Sequence, residues 1–551
     1  MTGAKPLNET HQVFNQPTPL ANYNAYLSDR VLTHYIEKFG GQWGEARLID
    51  YGYRVGHDLL EAGFAANKFK PEFEPHDRFG HRIDQINYHP SYHQLMKSAI
   101  EAGHHSFAWQ EAKPGAHVIR AGIEYLHTQA DPGSGCPLTM TFASVPAIKH
   151  QPDIAKNWIP KITANIYDPR NIPFFDKQGL TIGMAMTEKQ GGSDVRANTT
   201  KATPMNQSGP GQEYEVTGHK WFCSAPMCDA FLVLAYTEVG LSCFLLPRWR
   251  PDGSKNSLFI QRLKNKMGNV SNASSEIEYR KAFAWMIGQE GHGIQTIIDM
   301  VAMTRFDCMV GSSSIMGLAT AQALHHTSGR EAFGKTLHDQ PLMQNVLADL
   351  ALESEASLAI SMRLAHALDN QANESEQHLV RLGTAIGKFW ICKRAANHTV
   401  EAMECIGGVG VVEDNVVARL YRESPINAIW EGSGNIQCLD VMRVMIKEPQ
   451  ATSAFMNELE SAKGFSKIYD DRFAQLKAVI EKKSIEESQL RVWVEQMALL
   501  WQAATLIEYS EDFIAETFVN NRLSTGQAQM LGTLNHKAPL TQIIERATPQ
   551  L

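Results

Sequence analysis

Residues 15 to about 162 read mostly helical, with apolar positions in parts of the stretch recurring at three- and four-residue spacing, the periodicity of amphipathic helices. Stretches 30–39, 45–65 and 92–102 carry it most clearly, and Ser28-Asp29 supplies a cap for the first. A turn-rich piece, 70–90, interrupts this pattern. From Gly179 the texture changes to short β runs split by turn residues, at 180–186, 214–216, 231–236, 242–246, 258–263 and 276–279. Beyond Gly291 helical spacing returns at 294–328, 344–372 and 376–405, the first rich in Ala, Gly, Ser and Met and so suited to close helix packing. Glu448-Pro449-Gln450 reads as a break before helical patterns at 457–480 and 485–509. The expectation is an α+β chain of four units: helical 1–178, β 179–290, a helical bundle 291–447 and a further helical region 448–551.

Composition adds little to this frame. The 551 residues exceed what one hydrophobic core serves, which agrees with several packed units. A hydrophobic share of 43% and a charged share of 20% describe an ordinary globular chain. The net charge of -8 gives no global reason to expect nucleic acid or an anionic membrane as partner. Eight cysteines are scattered without CxxC pairs, which argues for a reducing compartment and against a disulfide frame or zinc site. Histidines 57, 76, 81, 89, 93, 104 and 105 lack metal-ligand spacing, so no metal is expected. The first twenty residues lack an apolar signal core and no apolar run approaches a membrane span; a cytoplasmic protein is expected.

Two stretches carry candidate chemistry. In 404–438 a glycine turn, Gly407-Gly408-Val409-Gly410, separates two helical segments, and a lone carboxylate, Glu431, follows between Trp430 and Gly432. Glycines let backbone N–H groups approach a bulky anion, and a carboxyl beside an aromatic is placed where burial raises its pKa towards that of a working base. The bland alternative is a turn between helices followed by a C-cap loop. In 185–197, Ala-Met-Thr-Glu-Lys-Gln-Gly-Gly-Ser-Asp-Val-Arg-Ala, a strand ends where a glycine pair exposes N–H groups beside the hydroxyls of Thr187 and Ser193. That suits a polar heterocycle or phosphate, and equally a simple polar turn.

Resemblance separates these alternatives. The order Glu404, Gly407, Gly408, Gly410, Val411, Asp414, Arg419, Glu423 resembles one signature of the acyl-CoA dehydrogenase family, and 185–197 resembles the other. Trp430-Glu431-Gly432-Ser433 is similar to that family's catalytic Tyr-Glu-Gly-Thr loop. The resemblance implies a helical N-terminal domain, a middle β-barrel or sandwich, a C-terminal four-helix bundle, and FAD at a subunit interface of a dimer of dimers, a homotetramer. It implies flavin contacts at Met184, Met186, Thr187, Gly192 and Ser193, and at Phe222, Cys223 and Ser224 of a strand similar to the family's K-x-W-I-T. Arg330 and Phe333 stand in a stretch resembling RxxFGxxI, where the arginine reaches the FAD diphosphate of a neighbouring subunit. Glu404, Gly407, Gly408, Ser433 and Asn435 complete the implied cofactor set, and Arg305, Gly432 and Trp430 the implied substrate set. The family's family-typical Gln after RxxFGxxI is Pro341 here, and Glu404 stands where many members have Gln.

Family members draw their base from the Glu431-type loop or from the position before a characteristic Arg. The latter is Thr304 here, which cannot serve, so Glu431 is the implied base. The implied reaction is α,β-dehydrogenation of an acyl-CoA, with electrons leaving to an electron-transfer flavoprotein. Phrases spread over the chain resemble the family's alkylation-response branch, which is linked to double-stranded DNA. From Val441 to Leu551, however, 12 Lys and Arg stand against 14 Asp and Glu, a net of -2, where phosphate neutralisation asks for a basic surface. Three readings follow: a working dehydrogenase, a DNA-binding protective flavoprotein with little such activity, and an acyl-CoA-binding module. Ala302, where many members carry an acid against CoA, favours the last.

Overall fold

The computed structural model describes residues 10–482, 484–524 and 530–551. Asp29 caps helix Arg30–Lys38, its side chain accepting from the Leu32 N–H, as the Ser-Asp pair suggested. The piece 70–90, expected only as turns, is a two-stranded antiparallel hairpin, Glu72–His76 with Arg82–Asn87. Its first strand alternates between exposed and half-buried positions, its second buries Ile86, and the hairpin leans on the β unit, where Arg82 Nη2 donates to the Ile260 carbonyl at 2.6 Å. Helices Ala116–Ala130 and Pro132–Lys149 follow, joined at Asp131, which caps the second by accepting from the Ser134 N–H. Every residue of Ala116–Ala130 is buried, including His117, Arg120, Glu124 and His127. A helix with no solvent face leaves no amphipathic period to read.

The β unit is a closed ring. Strand Ala230–Tyr236 touches Lys201–Pro204, which pairs with Glu213–Ser224, then Ser274–Ile287, then Leu241–Pro247, which returns to Ala230–Tyr236. Ile182–Ala185 adds in parallel to Ala230–Tyr236, and Leu258–Leu263 flanks Ser274–Ile287. Two strands are far longer than the short runs 214–216 and 276–279 expected for them. Gly218 and Lys281, both with positive φ, and register shifts after Val216 and Lys220 bend these strands without ending them. A bulge inserts a residue that breaks alternation while pairing continues.

Helices Gly293–Gly329, Pro341–Asp369, Glu374–Ile406, Val416–Ile429 and Gly434–Lys447 form the bundle. The region expected as two helices holds five α-helices among its described residues: Pro449–Glu460, Lys467–Glu481, Leu490–Tyr509, Asp512–Phe518 and Leu540–Ala547. The break within 457–480 falls at a turn containing Gly464, φ +94. This tail shares the core of the bundle and N-terminal helices. Trp501, fully buried, packs edge-on against Phe455 and fills the space left by Gly383 and Gly387. Ion pairs stitch it down along Pro341–Asp369: Arg522 reaches Asp349 and Glu353, and Arg546 reaches Glu355, which also accepts from Tyr35 and Ser510.

Candidate functional site

One face of the 37-residue helix Gly293–Gly329 sets the axis of a cavity of about 920 Å³. Ile294, Ile297, Val301, Thr304, Cys308, Gly311 and Ile315 line it, spaced three and four apart. At 1.5 Å per residue this face runs about 32 Å. The Ile294 end opens to solvent, with Ile298 37% and Leu439 40% exposed, whereas Cys308, Gly311 and Ile315 are buried. Helices Ala116–Ala130 and Pro132–Lys149 close the inner end, and the β ring and the loop after Val416–Ile429 close the sides.

Glu431 stands midway, half-buried, in a loop whose backbone is held against its preference. Its φ is +59, and Gly432 follows at +94. A left-handed glutamate costs energy unless its surroundings over-determine it. Here three carbonyls in a row are gripped by side chains from two other helices and from the helix that follows. Lys388 Nζ, from within Glu374–Ile406, donates to the Trp430 carbonyl at 2.6 Å and the Gly432 carbonyl at 2.5 Å. Arg305 Nε donates to the Glu431 carbonyl at 2.9 Å, as does Gln437 Nε2 at 3.0 Å. Arg305 is oriented in turn by Asp440, at 2.6 Å, a buried carboxylate that also meets Arg381 and Arg443. At φ +94 any side chain on Gly432 would be strained, and its Cβ would also come within 2.8 Å of Gln437 Nε2.

Six carboxylates line the cavity: Glu124, Asp194, Asp307, Glu423, Glu431 and Asp440. Asp307 is paired with Arg120, Asp440 with three arginines, and Glu423 accepts from the Asn269 backbone and side-chain N–H groups. Glu124 lies against His104, and Asp194 is exposed. Glu431 differs. Its carboxylate has one neutral donor, Thr304 Oγ1, at 2.7 Å. Burial raises its pKa above the usual carboxylate range, while Thr304, Lys388 and Arg305 pull the other way. Such a group takes a proton from a weak acid at neutral pH. The cavity thiol Cys136 is pushed up to about 12 by burial and stays protonated, so it is no nucleophile.

Of the residues singled out in the sequence, the cavity gathers Met184, Met186, Thr187, Gly192, Ser193, Phe222, Ser224, Arg305, Trp430, Glu431, Gly432 and Ser433. The loop after strand Ile182–Ala185 is pinned by a fully buried pair, Glu188 with Lys220 at 3.0 Å, and Glu188 also accepts from Thr199 and Thr200. Gly192 packs so tightly that a Cβ would meet Thr187 Oγ1 at 2.4 Å. Phe222 keeps 47% of its surface open. Other singled-out residues lie elsewhere. The Cys223 side chain is buried in the β ring away from the cavity lining, and Asn435 is turned to the tail, accepting from Arg491 at 2.8 Å. Arg330 donates to the Asn15 carbonyl, and Phe333 tips a hairpin at 99% exposure. Glu404, Gly407 and Gly408 lie on the open surface of their own chain. Lys388, Gln437, Asp440 and Asn427 were not singled out: Lys388 is more than forty positions from the loop, and the nearer three are ordinary helix polar residues until packing turns them onto it.

The arrangement of β ring, bundle face and clamped glutamate loop has close counterparts. Residues 15–169 match the model of the adaptive response protein AidB N-terminal domain, 183–282 the acyl-CoA dehydrogenase middle domain, and 291–446 the acyl-CoA dehydrogenase C-terminal domain. AidB of Escherichia coli (strain K12) is 42% identical over 520 residues, 94% of this chain and 95% of that one. The chain belongs to the acyl-CoA dehydrogenase family. Acyl-CoA dehydrogenase family member 11 of Caenorhabditis elegans is 27% identical, covering 92% of this chain and 83% of that protein. A crystal structure of C. elegans ACDH-11 in complex with C11-CoA superposes with a TM-score of 0.84 at 25% identity, covering 99% of this chain and 94% of that chain. Like these family members, the chain carries the three-part fold; among its described residues no helix is long and apolar enough to cross a membrane, and no group of three metal-ligating side chains occurs.

The clamp is open to test. Lys388→Met removes the cation from two buried carbonyls, each costing roughly 1–3 kcal/mol when left unpaired. A displacement of the loop by about 1 Å costs an oxidoreductase of this kind roughly 100-fold in kcat/KM. The expected result is a folded variant with a lowered melting temperature and about that loss of rate; unchanged rate would show that the clamp does not position Glu431.

Proposed function

We propose that this protein is an FAD-dependent acyl-CoA dehydrogenase in which Glu431 removes the α-proton of an acyl-CoA thioester. The observation that carries the reading is Glu431 itself: a carboxylate raised by burial, lining a deep cavity open at one end, on a loop held in a costly conformation by Lys388, Arg305 and Gln437.

The residues present fit a flavin. Phe222 offers an open aromatic face, the Thr187 and Ser193 hydroxyls and the tightly packed Gly192 lie beside it along the cavity, and Asn269 Oδ1, buried in its wall, has no protein hydrogen-bond partner. Met184, Met186 and Ser224 complete that wall. The flavin, when bound, takes up the hydride from the β-carbon. Glu431 holds the α-proton once it leaves, and its own backbone N–H, by likeness to the family, would polarise the thioester oxygen. Arg330, Phe333, Glu404, Gly407 and Gly408 face away from the cavity of their own chain, and a second copy presenting them would complete the cofactor site, which supports a homo-oligomer. The acyl-CoA bound by ACDH-11 supports the substrate class, and the AidB likeness supports a role in the response to alkylation. A DNA-binding tail has less support. Lys467 pairs with Asp471 and Lys477 with Glu460, Arg472 donates to the Leu523 and Ser524 carbonyls, and Lys483 lies outside the described residues.

Anaerobic titration with a panel of acyl-CoAs tests the reading: one chain class should bleach the oxidised flavin, and a yellow protein that none bleaches would sink it. The pH profile adds a signed test. Glu431 must be ionised to act, and the Thr304 hydroxyl favours its ionised form. Thr304→Val should therefore move the acid limb of kcat/KM to higher pH, with the plateau less affected. An unmoved limb would mean that Thr304 does not act through Glu431.

A further inference from the structure

The closed end of the cavity is polar. Gly311 interrupts the buried face of Gly293–Gly329, where alanine would favour the helix. What occupies the space beside it is a ring of polar atoms. A Cβ built on Gly311 would stand 3.4 Å from Asn427 Nδ2, 3.6 Å from Glu124 Oε1 and 3.6 Å from Thr128 Oγ1. All four residues line the cavity, and Glu124 and Thr128 are 5% and 3% exposed. An apolar chain end placed there would strip these groups of water and return nothing.

Their hydrogen-bonding capacity is only partly used within the protein. Glu124 Oε1 receives only a long bond, 3.3 Å, from Thr128. Asn427 Nδ2 donates to Ser312 Oγ at 3.2 Å, which leaves its second N–H. Asn427 Oδ1 accepts from Trp430 Nε1 at 2.9 Å, so the pocket and the glutamate loop share a residue. Charge around it is balanced: Arg120 is paired with Asp307, and Glu124 Oε2 lies against His104. Burial favours the neutral form of both Glu124 and His104. Along the helix, Gly311 lies seven residues beyond Thr304, about 10 Å past the level of the Glu431 carboxylate.

We infer that this end of the cavity is a subsite for a hydroxyl group carried on the acyl chain about 10 Å beyond the thioester. The inference rests on the acyl-CoA reading for its ligand. Glu124 Oε1, held in place by the Thr128 hydroxyl, accepts from the ligand hydroxyl, the free N–H of Asn427 donates to it, and the Gly311 gap provides the room. The preferred substrates are hydroxylated medium-length acyl-CoAs, and methyl-terminated chains of the same length are the poorer ligands.

The test separates binding from turnover. The FAD-loaded protein is titrated calorimetrically with 3-thiaoctanoyl-CoA and its 8-hydroxy counterpart, which have no β-hydrogen to lose. The hydroxylated ligand should bind at least about tenfold tighter, the discrimination that one buried hydrogen bond supplies. That ratio should fall towards one in Gly311→Ala, whose methyl meets the three polar atoms at ordinary contact distance, and in Thr128→Val. Because the ratio is taken within each protein, a general loss of affinity does not mimic the result; if Gly311→Ala binds neither ligand, Thr128→Val decides. A wild-type ratio of one or less, binding of neither ligand, or a ratio that survives in Thr128→Val overturns the inference. Failure of every acyl-CoA to bleach the flavin would overturn the proposed reaction instead, and would leave the binding ratio to stand by itself.

Discussion

Glu431→Gln is expected to lower kcat/KM for the acyl-CoA substrate by roughly 10³- to 10⁴-fold, the upper range for a positioned general base. The substitution keeps the length and shape of the side chain, and the amide oxygen still accepts from Thr304 Oγ1, which lies 2.7 Å away in the native chain. The clamp on the neighbouring carbonyls does not involve the carboxylate. The variant should therefore fold, keep its flavin and bind acyl-CoA with little change, losing only the proton transfer. Anaerobic flavin bleaching in single turnover measures that step directly. A loss of less than tenfold would mean that another group takes the proton; Glu423, buried and held only by the Asn269 N–H groups, is then the cavity carboxylate to substitute next.

Arg522→Met should cost about 3–5 kcal/mol of stability, the penalty for leaving buried carboxylates without their cation. Arg522 is the tail's contribution to a site where Asp349 is fully buried and Glu353 nearly so, with Arg394 completing it from another helix. Burial alone would raise the Glu353 carboxyl, but Arg394 and Arg522 outweigh it and bring it from 4.5 down to about 2. A carboxyl held below its unfolded value stabilises the fold above pH 4.5 and loses that contribution as pH falls towards 2. For Glu353 this amounts to about 3 kcal/mol. Denaturant titrations across that window should show a steep acid limb in the native protein and a shallower one in Arg522→Met. Equal midpoints at neutral pH would show that Arg522 adds nothing to the hold on the tail.

Regular periodicity was a dependable guide where one face of an element meets water. Helix Arg30–Lys38 follows from it, and the long bundle helices were read as helical although 347–365 in one of them is buried throughout. Periodicity says less where no face meets water: Ala116–Ala130, within the stretch read as mostly helical, is buried all round, and its Glu124, which shapes the inner cavity, gives no sign of that in the spacing. It also stopped short at Gly218, which reads as a breaker and serves as a bulge inside Glu213–Ser224. The tail's composition argued correctly that no large excess of basic residues is present, yet it could not show that Arg522 and Arg546 are spent on buried carboxylates.

What the amino-acid order determined by itself is local: the alternation of helical and β texture, the glycine-rich loops, and Glu431 as the carboxylate beside an aromatic and a glycine. These features depend on neighbours within a few positions, so they survive in one dimension. The tertiary structure decided the rest. It set the left-handed backbone of Glu431, the reach of Lys388 across to Trp430 and Gly432, the Thr304 hydroxyl on the carboxylate, and the convergence of Glu124, Thr128 and Asn427 on Gly311. Each of these joins residues from different elements at hydrogen-bond or contact range. Such distances are fixed only when the helices and strands pack, because the free energy that holds them comes from burial shared across the whole core.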